Sequence, residues 1–100
     1  MKTIYKYQIP IKGANIRCNL QLPKEAVILS FQCQDEVPTI WAEVENAHND
    51  EERHFRLYGT GQAIENIPKN TGLHYIGTAQ RWQGGLADVW HLVEEVKENV

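Results

Sequence analysis

Gly59-Thr60-Gly61, with Arg56 three residues ahead, is the stretch best suited to holding an anion. Two glycines around a threonine let the chain turn tightly and present consecutive N–H groups, a nest for phosphate or carboxylate. A guanidinium beside it would add a charge-assisted hydrogen bond. The Lys-Ser/Thr of a P-loop is missing, as is any GxGxxG pattern. The same residues also describe an ordinary tight turn leaving an edge strand, with Thr60 bonding within its own loop.

Catalytic chemistry finds little support. His48, His54, His74 and His91 stand singly, with no HxH or HExxH pattern and no His/Cys pair at ligand spacing. Neither a metal nor another cofactor is expected. His91 falls in register with Val89 and Val93, which suits a half-buried, hydrogen-bonded histidine. Ser30 is the only serine, and it lies inside a strand-like run without a GxSxG elbow. Glu51-Glu52 and Glu94-Glu95 are sequence neighbours, so in an extended strand their carboxylates point to opposite faces. A non-enzymatic protein is the expectation. Cys18 and Cys33 are too few for a disulfide framework, and free thiols are expected.

The aromatic residues are the other candidates for binding. Trp41 falls opposite Ile40, Ala42 and Val44. Tyr58 falls opposite Phe55 and Leu57, and Trp90 opposite Val89, His91 and Val93. If the aliphatic faces line the core, these rings lie on outer sheet faces, where they can stack a base or anchor a protein partner. The alternative is local burial of both faces. Trp82 and Arg81 precede Gly84-Gly85 and extend the candidate set, which comprises Arg56, Tyr58, Gly59, Thr60, Gly61, Trp41, Trp90, His91, Arg81 and Trp82.

These residues need strands to position them. Nine Ile, seven Val and five Thr make twenty-one β-branched residues in a chain of 100. Turn signals recur about every 8–12 residues, the all-β pattern. Alternation of apolar and polar side chains marks strands over residues 3–11, 15–22, 26–34, 38–45, 53–59, 73–80 and 87–93. In the third, Leu29, Phe31 and Cys33 share a face. In the sixth, Tyr75, Gly77 and Ala79 do. Asp35-Glu36 reads as a hairpin turn, and Asn46 to Glu52 as a solvated hairpin connection. The tail from Leu92 onward fits either a short helix or a strand end. One all-β domain over residues 1–100 is expected, an antiparallel sandwich or small barrel of about 6–7 strands.

Ten Lys+Arg against thirteen Asp+Glu give a net charge of −3, which argues against nucleic acid as a partner. No run approaches the roughly 18 apolar residues of a spanning helix, and the N-terminal stretch has no signal-peptide h-region. A cytoplasmic location without membrane contact is therefore the expectation.

Several strings, taken in order, are distinctive: Ile4-Tyr5-Lys6-Tyr7, Val37-Pro38-Thr39-Ile40-Trp41, Phe55-Arg56-Leu57-Tyr58-Gly59-Thr60-Gly61, Leu73-His74-Tyr75-Ile76-Gly77-Thr78 and Val89-Trp90-His91-Leu92. Over nearly the whole chain they resemble a family of short proteins carried by tailed bacteriophages and prophages, a domain of unknown function. The Tyr-Gly-Thr-Gly and Val-Trp-His elements are the most specific parts. The segment from Arg81 to Asp88 and the tail after Glu94 depart from it. The resemblance carries over no catalytic residue. It implies an accessory protein in the host cytoplasm that binds a host or phage component, including components of host defence. Three roles follow as expectations: a protein binder or homo-oligomer acting through an aromatic sheet face, a sponge for a nucleotide-like signal held by Arg56 and the glycine loop, and a minor virion component.

Overall fold

A computed structural model describes residues 1–10 and 17–98. Among the described residues there are seven strands: β1 (Lys2–Gln8), β2 (Arg17–Pro23), β3 (Val27–Gln34), β4 (Val37–Glu45), β5 (Asp50–Gly59), β6 (Thr71–Gln83) and β7 (Leu86–Lys97). They form two antiparallel sheets, ordered β1-β4-β3 and β2-β5-β7-β6. The expected all-β architecture is therefore present, as a two-sheet sandwich. Its shortest dimension is 18 Å, the thickness of two stacked sheets with their side chains.

The alternation in the sequence builds the core. Ile40, Ala42 and Val44 of β4 meet Phe55 and Leu57 of β5 and Leu92 of β7, with Ile9, Leu22 and Phe31 filling the space between the sheets. Phe55, Ile9, Leu22, Ile40 and Leu92 are completely buried. Each such side chain contributes about 1.5–3 kcal/mol of transfer free energy. Gly77 of β6 faces Phe31 of β3, and a Cβ built there would lie 3.6 Å from the Phe31 Cβ. Edge strands of the two sheets thus approach each other along one side of the sandwich.

Two hairpins organise the chain. Asp35 and Glu36 join β3 to β4 with φ of 50° and 67°, as a tight turn with two left-handed residues requires. Gly84 and Gly85 join β6 to β7 with φ of 60° and 80°, where glycine adopts that conformation without strain. The Asn46 to Glu52 segment differs from expectation. It carries the chain from one sheet to the other rather than closing a hairpin, and β5 already begins at Asp50. The C-terminal tail continues as strand to Lys97, because its register with β6 extends to the Thr71↔Lys97 pair. Ile11, Gly13, Asn15, Ile16 and Val100, parts of the expected strands, turns and tail, lie outside the described residues.

Three face assignments change. The register of β3 shifts between Ile28 and Ser30, so Ile28 packs on the core and Leu29 is 48% exposed. A second shift between Tyr75 and Gly77 places Tyr75 on the outer face, while Gly77 and Ala79 face inward. In β7, Trp90 and Leu92 pair with the inward positions Gly59 and Leu57. Trp90 therefore packs against the core, and His91 and Val93 face outward. The cause is burial on both sides: Leu92, Val93 and Glu94 are all buried, so hydrophobicity does not distinguish inside from outside there.

Candidate functional site

The outer face of the four-stranded sheet collects most of the candidate residues. Tyr58 of β5 pairs with His91 of β7, and Thr78 of β6 pairs with His91 from the other side. The β6 bulge adds Tyr75, whose hydroxyl lies 2.8 Å from His91 Nδ1 and also contacts Thr78 Oγ1. Thr60 Oγ1 lies 2.7 Å from His91 Nε2. Both ring nitrogens thus face hydroxyls. A hydroxyl can donate or accept, so the ring is satisfied in either neutral tautomer. Among the described residues no carboxylate bonds this imidazole, unlike the arrangement that activates a serine nucleophile. The contacts fix the ring in place.

Chain segment 60–70 folds over part of this face and is held there by Arg56. The Arg56 side chain is 2% exposed. It donates to the carbonyl oxygens of Glu65 and Asn66 at 3.0 Å each and to the Tyr58 hydroxyl at 3.1 Å, and it pairs with the Glu95 carboxylate. Burial disfavours the charged guanidinium, but the bonds to Glu95 and Tyr58 hold its pKa above the ordinary arginine value. Burial likewise works against the Glu95 carboxylate, but Arg56 and Arg17 hold its pKa below the usual range.

Between the segment and the sheet lies a cleft of about 260 Å³, lined by Tyr58, Gly59, Thr60, Gly61, Gln62, Ile64, Tyr75, His91 and Val93. Its walls are mostly carbon, and among the described residues no lysine or arginine lines it. Arg56, expected as the anion grip, is occupied beneath the loop. The Gly59-Thr60-Gly61 nest is also largely engaged: Gly59 N–H donates to Gln62 Oε1, Thr60 N–H to Val89 O and Gln62 N–H to Gly59 O. The geometry suits an uncharged group better than a phosphate.

Of the expected site residues, Tyr58, Gly59, Thr60, Gly61 and His91 are brought together at the cleft, with Arg56 behind it. Trp82 stands on the same sheet face at the β6–β7 hairpin tip, 61% exposed. Arg81 points to the inner face, bonded to Asp88 at 2.7 Å, with its guanidinium 5.9 Å from the Trp90 ring. The Trp90 Nε1 is buried without a hydrogen-bond partner among the described residues. Trp41 is half-buried on the outer face of the other sheet, between Lys6 and Ser30. Gln62, Ile64, Tyr75 and Val93 complete the cleft without having been singled out. Only the bulge brings Tyr75 to this face, and a bulge leaves no mark on composition.

A more polar cleft of about 340 Å³ lies further along the same sheet, lined by Arg17, Asn19, His54, Pro68, Thr71, Glu95, Val96 and Lys97. Among the described residues no group of three or more His, Cys, Asp or Glu is placed to hold a metal ion. No helix among them is long and apolar enough to cross a membrane. Cys18 and Cys33 lie in strands of different sheets, β2 and β3.

No curated protein and no solved structure matches the chain. A family model described as a domain of unknown function, DUF7352, matches residues 1–100, and the chain belongs to that family.

Proposed function

We propose that this protein is a non-enzymatic binding module that engages another protein through the outer face of the β6–β7 hairpin. One observation carries the reading. From Tyr75 through Thr78 and Gln80 to Trp82, and from Ala87 through Val89 and His91 to Val93, that face bears no Asp, Glu, Lys or Arg. Outward sheet positions of a chain with 23% charged residues ordinarily carry charge. The centres of protein–protein interfaces are instead depleted of charge and enriched in Tyr and Trp. Tyr75 and Trp82 are 54% and 61% exposed, which is costly surface unless something covers it.

In the phage setting implied by the sequence resemblance, the partner is a host or phage protein, and a host defence component is the partner class of choice. The sponge reading loses its cation, since Arg56 is occupied, and among the described residues no counter-charge for a nucleotide phosphate lines the cleft.

The test is affinity capture from host lysate on the immobilised protein. One stoichiometric partner is expected, lost on Trp82→Ala or Tyr75→Ala and retained on Lys2→Ala at the opposite sheet. Capture indifferent to both aromatic substitutions would sink the reading. A rise in melting temperature with nucleotides, by mass action, would restore the sponge.

A further inference from the structure

We propose that the first partner of this face is a second copy of the chain, with Trp82 of each copy seated in the Ile64–Tyr75–His91 cleft of the other. The inference rests on the reading of the hairpin face as a protein contact and names its occupant.

A projecting ring and a cleft occur on the same face of the same sheet. Trp82 pairs with Ala87, and His91 follows four residues later on β7, about 13 Å along the strand. Turning one copy about a two-fold axis that lies in the contact plane, between these two points, places each ring over the other copy's cleft. The two contacts are then identical, as a closed isologous dimer requires. The cleft of about 260 Å³ is open on this face, and Ile64 on its wall is 60% exposed.

The chemistry also matches. An indole is uncharged and carries one N–H donor. The cleft offers carbon walls and the hydroxyl oxygens of Thr60 and Tyr75 as acceptors. The hairpin face also carries no charge that would oppose the contact. Two chains of net charge −3 repel each other generally, and this hairpin face lets them meet without desolvating a charged side chain.

Sedimentation equilibrium of the full chain from micromolar to millimolar concentration tests the proposal. A concentration-dependent dimer is expected. Trp82→Ala should weaken it by about 30-fold, the scale of a buried tryptophan hot spot. Ile64→Asp, which puts a charge on the cleft wall, should weaken it similarly. Both positions are exposed, and circular dichroism verifies that the variants fold. Mixing the two variants is the decisive measurement. The mixed dimer regains one intact contact, the ring of Ile64→Asp in the cleft of Trp82→Ala, so it should form more strongly than either variant alone. A wild type that stays monomeric, a dimer insensitive to Trp82→Ala, or a mixture no stronger than its components would each overturn the proposal. Monomeric protein that still captures a lysate partner through Trp82 would overturn the dimer and leave the binding module standing.

Discussion

Arg56 and Glu95 form an ion pair across the β5–β7 ladder, on the outer face of the sheet, with both side chains almost removed from solvent at 2% and 10% exposure. The pair matters because the same guanidinium also holds the carbonyl oxygens of Glu65 and Asn66. One side chain thus fixes the loop that forms a wall of the cleft. Arg56→Ala leaves Glu95 partly desolvated and frees the loop, and it should cost about 3 kcal/mol in urea unfolding. Lys2→Ala, which removes an exposed ion pair to Glu43, should change stability by about 0.5 kcal/mol or less. Equal effects of the two would show that the loop is held by something else.

The same pair sets an acid limit. Arg56 and Arg17 hold the Glu95 pKa below the ordinary carboxylate range in the folded protein, despite the opposing effect of burial. A carboxylate with a depressed folded pKa contributes stability that is fully present above its unfolded value, about 4.3, and is lost as pH falls through the folded value. Glu95→Gln should therefore be less stable than wild type at neutral pH, and the gap should close on acidification below that point. Chemical denaturation at a series of pH values measures the gap. A gap that stays constant with pH would mean that the carboxylate's charge is not what stabilises.

How much was legible in the sequence depends on whether a face is buried on one side only. Ile40, Ala42 and Val44 read correctly because β4 is covered on its inner face and Trp41 remains half-buried outside. Cys18, Leu20 and Leu22 read correctly for the same reason: all three turn toward the core. Trp90 and His91 exchanged places in the reading because segment 60–70 covers the outer face beside them and buries Val93 as deeply as the core. Leu29 and Tyr75 were misplaced by register shifts, which reverse every side chain beyond them without changing the residue types. The Arg53–Glu94 and Arg56–Glu95 pairs join residues 41 and 39 positions apart, and no local pattern announces such partners.

The turn between β3 and β4 invites a stabilising change. Asp35 and Glu36 both adopt positive φ, a conformation that costs a side chain such as glutamate about 1 kcal/mol or more. Asn-Gly is the preferred pair for a two-residue turn of this type. The double substitution Asp35→Asn, Glu36→Gly should raise the unfolding free energy by about 1 kcal/mol, partly offset by the greater freedom of glycine in the unfolded chain. Both side chains are exposed, so no packing is lost. A fall in melting temperature would mean that Asp35 or Glu36 makes a compensating contact.

The last prediction concerns thiol reactivity. Cys33 sits on the inner side of β3, where burial raises its pKa, and the nearby positive charge of Arg81 only partly offsets this. A raised pKa lowers the thiolate fraction at neutral pH, and the thiolate is the species that reacts. Partial burial also limits the approach of a reagent. Iodoacetamide at pH 7.5 should therefore label Cys33 several-fold more slowly than a small-molecule thiol of ordinary pKa. Arg81→Gln removes the offsetting charge and should slow it further. Mass spectrometry of the Cys33 peptide over time reads both rates. Labelling of Cys33 as fast as the free thiol would contradict the packing of β3 against the core, and faster labelling in Arg81→Gln would show that access rather than charge controls the reaction.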